Sequence, residues 1–266
     1  MQRVLMIDDD QQVSAVLAMA LEALGNQVII SNNTEQAEEL CAETKPDLIL
    51  LDMMMPGRSG IELIEPIRRL CPDSFICMMT GLVDADLMKK TLSAGAWNIL
   101  YKPYSLADLS ELLDLSALLS HAVRMERAQS ESESAVDVSL SWPGDRKFDA
   151  KDIARVAQFA AASGANADLA NRRVPIVAAE LLNNARIHGA ALQPEKTYGI
   201  KCSLSDASLL MDVYDSGPVF DWNRSFADHS TAAYGSVPGL QLVRSLADSV
   251  TFSESDKTVR AAFAVR

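Results

Sequence analysis

Pro46-Asp47-Leu48-Ile49-Leu50-Leu51-Asp52-Met53-Met54-Met55-Pro56-Gly57 decides how the first half of this chain is read. A short apolar run ends in a carboxylate and passes into a turn containing Pro and Gly. Bounded runs of this kind read as strands buried on both faces, as in a parallel sheet. The strand presents Asp52 at its carboxyl end, where open α/β sheets place their chemistry. A carboxylate held there is a metal ligand, a nucleophile, or both.

Working outward, strands are expected at 3–8, 27–31, 75–79 and 97–101. Helices are expected near 11–24, 34–43 with Thr34 as N-cap, 59–70, and 84–94 ended by Gly95. Pro103 closes the fifth strand, and a helix starts after Ser105 and runs past 120. Five strand–helix alternations predict a doubly wound α/β parallel sheet over 1–120.

Net charge is −12 and uneven: 8 Lys+Arg stand against 18 Asp+Glu in residues 1–120, and 16 against 18 afterwards. An acidic first half and a near-neutral second half argue against a nucleic-acid-binding surface. Cys41, Cys71, Cys77 and Cys202 show no metal-ligand spacing and read as reduced core residues. The start shows no signal-peptide pattern, and Asp108, Glu111 and Asp114 interrupt the apolar stretch 106–119. A cytoplasmic protein with no membrane partner is expected.

Residues 121–135 read as a helical extension ending in a polar linker, Gln-Ser-Glu-Ser-Glu-Ser-Ala at 129–135. Beyond it the texture changes. A strand at 136–142, helices near 150–163 and 169–188, and strands at 197–204 and 208–214 are expected. A polar loop to about 237, a helix at 239–247 and strands at 249–254 and 258–265 follow. Segregated helices and antiparallel strands predict an α+β sandwich over 136–266.

In the first half Asp8 and Asp9 end one strand and Asp52 another, so their carboxylates converge. Oxygen-only acid clusters suit Mg²⁺. Thr80 and Lys102, at two further strand ends, supply a hydroxyl and a fixed positive charge. Together they would clamp a phosphoryl group on Asp52, and such clamps carry most of phosphoryl-transfer catalysis.

These pieces, with Thr80-Gly81, Gly95-Ala96 and Lys102-Pro103, resemble the flavodoxin-like receiver domains of two-component response regulators over residues 1–120. The resemblance implies that Asp52 accepts phosphate from an upstream histidine kinase. It implies Mg²⁺ held directly by Asp9, Asp52 and the Met54 carbonyl and through water by Asp8, with Thr80 and Lys102 on the phosphoryl oxygens. The family's switch aromatic, three positions before the lysine, is here Ile99, flanked by Trp97 and Tyr101.

In the second half, spacing of four places Glu180, Asn184 and His188 along one helix face. A carboxylate and an amide one turn apart can polarise a hydroxyl and ligate Mg²⁺. Asp215 offers an acceptor for an exocyclic amine, Gly217 lets a flat base lie against the backbone, and Gly235 and Gly239 flank a helix start. This constellation resembles the ATP-binding (Bergerat, GHKL) fold of histidine kinases, gyrases and anti-sigma-factor serine kinases, closest to the last. The resemblance implies Glu180 as general base toward a partner's serine and Asn184 as Mg²⁺ ligand of Mg²⁺-ATP. It implies nucleotide contacts at Asp215, Gly217 and Gly239. Val219 and Val237 stand where the family has glycine, so a binding module without kinase activity competes with the enzyme. His121 reads as a helix-surface or coiled-coil residue and His229 as solvated.

The expectation is a response regulator whose Asp52 phosphorylation controls a serine-kinase-like output acting on an anti-anti-sigma-type protein or a sigma factor. A homodimer through the 105–128 helix is also expected.

Overall fold

The computed structural model describes residues 1–129, 137–217, 239–253 and 257–265. Most of the expected linker, together with Val219, His229, Gly235 and Val237, lies outside the described residues. Contacts divide the described chain into two compact units, Met1–Ser120 and the residues from His121 onward.

The first unit alternates β1 (Arg3–Ile7), α1 (Gln11–Ala23), β2 (Gln27–Ser31), α2 (Thr34–Thr44), β3 (Leu48–Asp52) and α3 (Gly60–Leu70). It continues through β4 (Phe75–Thr80), α4 (Ala85–Ala94), β5 (Asn98–Tyr101) and α5 (Leu106–Gln129), whose end passes into the second unit. The five strands are parallel in the order β2-β1-β3-β4-β5. Every residue of the central β3 is buried. Each of its Leu and Ile side chains contributes roughly 1.5–3 kcal/mol of burial. β1 stops at Ile7, so Asp8 stands just beyond the strand.

Local chemistry sets the helix ends. Asp10 caps α1, accepting from the backbone N–H of Gln12 and Val13. The cap of α2 is Asn33, not Thr34: the Asn33 Oδ1 accepts from Gln36 N–H at 2.7 Å, and Thr34 is already helical. Both residue types cap well, and the extended backbone at 33 decides between them.

Pro66 lies inside α3, where a missing N–H orphans the carbonyl four residues earlier. That carbonyl belongs to Glu62, and the Arg58 guanidinium donates to it at 3.1 Å while also pairing with Glu38 on α2 at 2.7 Å. Arg58→Ala is therefore expected to cost about 0.5–1.5 kcal/mol. In a Pro66→Ala background the restored N–H makes the Arg58 bond redundant. A double-mutant cycle by denaturant unfolding should show this coupling, and strict additivity would refute it.

The second unit contains β6 (Val138–Pro143), α6 (Ala150–Ala162), α7 (Val174–Asn184), β7 (Thr197–Ser205) and β8 (Ser208–Asp215). It ends with α8 (Gly239–Leu246), β9 (Ser249–Ser253) and β10 (Thr258–Ala264). The strands form an antiparallel sheet ordered β6-β7-β8-β10-β9. Alternation separates its faces: Tyr198, Ile200, Met211, Val213, Val259 and Phe263 are buried. Lys201 and Arg260 point outward, and Arg260 grips Asp212 bidentately at 2.6 and 2.7 Å.

The expected helix over 169–188 is a composite. Turns of π-helix at Leu169–Arg173 and Ala185–Gly189 bracket α7. At the first, Pro175 has no N–H to donate, and the Val174 N–H reaches back to the Leu169 carbonyl. At the second, the Ala190 N–H bonds Ala185 O at 2.7 Å. Arg173 secures the far end of α8, donating to Leu246 O at 2.7 Å and Asp248 Oδ1 at 2.8 Å beneath the Phe263 ring.

Candidate functional site

At the carboxyl ends of β1, β3 and β5, three predicted residues meet. The Lys102 ammonium donates to Asp52 Oδ1 at 2.7 Å and to Asp8 Oδ2 at 3.0 Å. Asp52 Oδ2 accepts from the Met54 backbone N–H at 2.8 Å, and Asp8 Oδ1 from the Asp10 N–H at 3.0 Å. Asp8 is 2% exposed and Asp52 6%. Burial by itself would lower the Lys102 pKa, but the hydrogen bonds and charges of Asp52 and Asp8 more than offset it and hold the ammonium above its ordinary value. The Lys102 contribution to stability is thus fully present just below its ordinary value of 10.5 and is lost as pH rises through the raised one.

Thr80 is buried at the end of β4, its hydroxyl accepting from the Leu82 N–H at 3.0 Å and its carbonyl from the Lys102 N–H at 2.7 Å. Gly60 is required by close approach: a Cβ there would lie 2.1 Å from the Asp52 carbonyl oxygen. The Lys102–Pro103 peptide is cis.

Asp9 behaves differently. Its side chain is exposed, and among the described residues no three His, Cys, Asp or Glu side chains gather as a metal-ligand group. The expected convergence of three carboxylates is replaced by two of them sharing Lys102, which neutralises like charges that would otherwise repel. The donor chemistry still fits Mg²⁺. One ammonium leaves two buried carboxylates under-neutralised, with Asp9 beside them in sequence, and hard oxygen donors match a hard cation.

Tyr104 was not singled out from the sequence. It is pushed above the ordinary tyrosine pKa chiefly by burial, with Lys102 opposing and Asp8 and Asp52 adding to the rise. Its hydroxyl lies 3.9 Å from the Met79 Sδ. An aromatic two residues after the lysine was the available signal. Tyr101 is buried at 5% exposure, and burial followed by the Asp84 charge raises its pKa.

In the second unit the predicted residues fall into two groups: Gly239 lies against Glu180 and Asn184, and Asp215 and Gly217 gather at Gly189. Gly239, the first residue of α8, lies against Glu180: a Cβ on it would fall 2.2 Å from Oε2. The Asn184 Nδ2 is buried with no hydrogen-bond partner among the described residues. An amide tip in such a position is a free ligating or hydrogen-bonding group, since its O and N ends are interchangeable by a flip. This orphan fits the bound Mg²⁺-nucleotide that the residue pattern implies.

Asp215 Oδ1 accepts from Gly217 N–H at 2.8 Å, and its carboxylate covers Gly189, where a Cβ would sit 2.1 Å from Cγ. Burial, the largest influence, raises the Asp215 pKa against the lowering effects of the Gly217 N–H, Lys257 and Lys196. Lys257 also donates to the Gly217 carbonyl. His188 does not continue the face of Glu180 and Asn184: it is exposed, because the wider π turn breaks the four-residue repeat. Gly189 and Lys257 were not foreseen, although Gly189 directly follows His188 at the end of the expected helix.

A parallel sheet with an acid–lysine cluster at its carboxyl end is thus followed by an α+β sandwich with an acid–amide helix. Comparison with known proteins agrees. Residues 4–114 match the response regulator receiver domain, and residues 149–263 match the histidine kinase-like ATPase domain. The transcriptional regulatory protein PrrA of Mycobacterium leprae is 30% identical over 176 residues, covering 66% of this chain and 69% of that one. The phosphate regulon transcriptional regulatory protein PhoB of Pseudomonas aeruginosa is 39% identical over 108 residues, 40% of this chain and 47% of that protein. The chain thus spans about half the length of PhoB. A receiver domain protein from Methanospirillum hungatei JF-1 aligns at 28% identity and a TM-score of 0.41, covering 43% of this chain and 91% of that one. The chain belongs to the response regulators. Its receiver domain is joined to a histidine-kinase-like ATPase domain.

Proposed function

We propose that residues 1–120 form a receiver phosphorylated on Asp52 by an upstream histidine kinase. Residues 121–135 would link it to an output domain at 136–266. The observation that carries this reading is the Lys102 ammonium bridging Asp52 at 2.7 Å and Asp8 at 3.0 Å. The Asp52 carboxylate attacks phosphorus in line, the P–N bond to the kinase's phosphohistidine breaks and its imidazole leaves as the neutral, protonated ring, while Lys102 and Thr80 take the charge that develops on the phosphoryl oxygens. Asp9, Asp52 and the Met54 carbonyl would hold Mg²⁺, with Asp8 acting through water; the ion supplies further neutralisation of the transferred group. A small phosphodonor such as phosphoramidate with Mg²⁺ should place a hydroxylamine-labile phosphate on Asp52. Labelling elsewhere would refute the assignment.

For the output domain we propose an ATP site of the anti-sigma serine-kinase type. Asn184 would serve Mg²⁺, Asp215 the base amine, Gly217 and Gly239 the nucleotide's close approach, and Glu180 the hydroxyl of a partner's serine. The partner is an anti-anti-sigma-type protein or a sigma factor, and the 105–128 helix joins two copies. No helix among the described residues is long and apolar enough to cross a membrane. The acidic first half and near-neutral second half support action without a nucleic-acid partner, and the proposed compartment is the cytoplasm.

A second reading, a partner-binding module without catalysis, is favoured by Glu180 resting on Gly239 and by Val219 and Val237 in place of glycine. ATP turnover separates them. If Glu180 is the base, Glu180→Gln lowers kcat by about 10²-fold or more while leaving ATP affinity intact. A full chain that binds ATP and never turns it over supports the module.

A further inference from the structure

Lys257 stands where the backbone suits glycine. Its φ is 50°, in the left-handed region that residues with a Cβ adopt at a cost. It directly precedes β10, in which Thr258 pairs antiparallel with Tyr214 of β8. That register sets Lys257 opposite Asp215. A lysine kept in a strained backbone position at a candidate site points to a use for its side chain. Lys45 shares the conformation, but its ammonium joins α2 to the end of α3, donating to Leu70 O at 2.9 Å.

The use follows from what the Lys257 ammonium touches. Its Nζ donates to the Gly217 carbonyl, and the Gly217 N–H donates to Asp215 Oδ1 at 2.8 Å. An anionic acceptor and a cationic donor are therefore fastened to the two ends of one residue. Gly217 is itself closely packed: a Cβ on it would lie 1.7 Å from the Gly189 carbonyl oxygen. The spacing of the pair is thus set by the backbone. An ammonium carries three N–H donors, and among the described residues the Gly217 carbonyl takes one of them. The others can serve a ligand. Burial raises the Asp215 pKa and the Lys257 charge opposes it, which favours the ionised acceptor.

An acceptor and a donor side by side complement a base edge on which an amine adjoins a ring nitrogen. Adenine has such an edge: its N6 amine donates, and the flanking N1 and N7 accept. We propose that Lys257 is a second base-reading residue, donating to one of these ring nitrogens while Asp215 accepts from the amine. The inference rests on the ATP reading of the output domain and deepens it. Asp215 alone recognises any base with an amine, whereas the pair selects an amine with an acceptor beside it. The Lys257 bond is charge-assisted, and such bonds contribute more than neutral ones.

Titration calorimetry of the full chain with the Mg²⁺ complexes of ATP, 1-deaza-ATP and 7-deaza-ATP tests this. One of the two analogues should bind about ten- to a hundredfold more weakly than ATP. Lys257→Gly removes the side chain and suits the backbone at φ 50°, so the variant should be about as stable as the parent. It should lose a similar factor in ATP affinity and bind ATP and both analogues alike; a merely structural lysine would weaken all three together and keep their ratios. Lys196→Met, which removes the other lysine charge felt by Asp215, should keep the parent's discrimination. A Lys257→Gly protein that discriminates as the parent does, or a parent that binds ATP and both analogues equally, would overturn the role of Lys257 and leave the ATP reading standing. A parent that does not bind ATP at millimolar concentration would overturn both.

Discussion

Asp52→Ala is expected to abolish phosphoryl labelling by phosphoramidate while leaving the receiver as stable as before, and Lys102→Ala to do damage of a different kind. In the native cluster one ammonium serves two carboxylates. Deleting Asp52 leaves Asp8 and Lys102 as a matched pair and removes a like-charge repulsion. Deleting Lys102 leaves two buried carboxylates facing each other. Breaking a buried pair costs about 3–5 kcal/mol, and the 30% exposure of Lys102 places this case at the lower end. The unfolding midpoint should fall by several degrees in Lys102→Ala. Millimolar Mg²⁺ should restore part of it, because the divalent ion replaces the missing charge. A Lys102→Ala protein as stable as the parent in Mg²⁺-free buffer would show that the bridge contributes nothing.

Asp215→Asn should make the ATPase-like domain more stable and blind to ATP. Burial raises the Asp215 pKa, so the folded state holds that proton more tightly than the unfolded chain. For a raised acid, stability is greatest below the ordinary value of 3.8 and declines as pH rises through the folded value. At neutral pH the carboxylate therefore carries a penalty that a neutral amide lacks. Asn keeps an acceptor for the Gly217 N–H, so the turn survives. Thermal unfolding of the full chain gives the readout. Ligand at about a hundred times its dissociation constant adds about 2.7 kcal/mol, a shift of several degrees. The parent should show that shift with Mg²⁺-ATP. The variant should melt higher without nucleotide and show none, since paired donors on Asn no longer complement the base amine as a carboxylate does. An undiminished ATP shift in the variant would remove Asp215 from base recognition.

The receiver was legible because its chemistry sits at strand ends. Period, burial and turn residues locate a strand's last residue, so Asp8, Asp52, Thr80 and Lys102 could be placed from sequence alone. Exposure of Asp9 and the sharing of Lys102 could not, because they depend on how neighbouring charges balance in space. The second domain was legible as a pattern of elements. Its π turns escaped, since only Pro175 hints at one and nothing local marks the other. Asn33 and Thr34 are near-equal caps, and backbone angles at one residue chose between them. Tyr104 and Lys257 take their importance from chain segments distant in sequence.

Arg173 bears on how this protein can change over generations. It ties α8 to its surroundings through Leu246 and Asp248, at the end of the helix away from Glu180 and Gly239. The fold of this helix and the proposed nucleotide chemistry therefore rest on different residues, so a substitution around Gly239 can remove the second while the Arg173 anchor preserves the first.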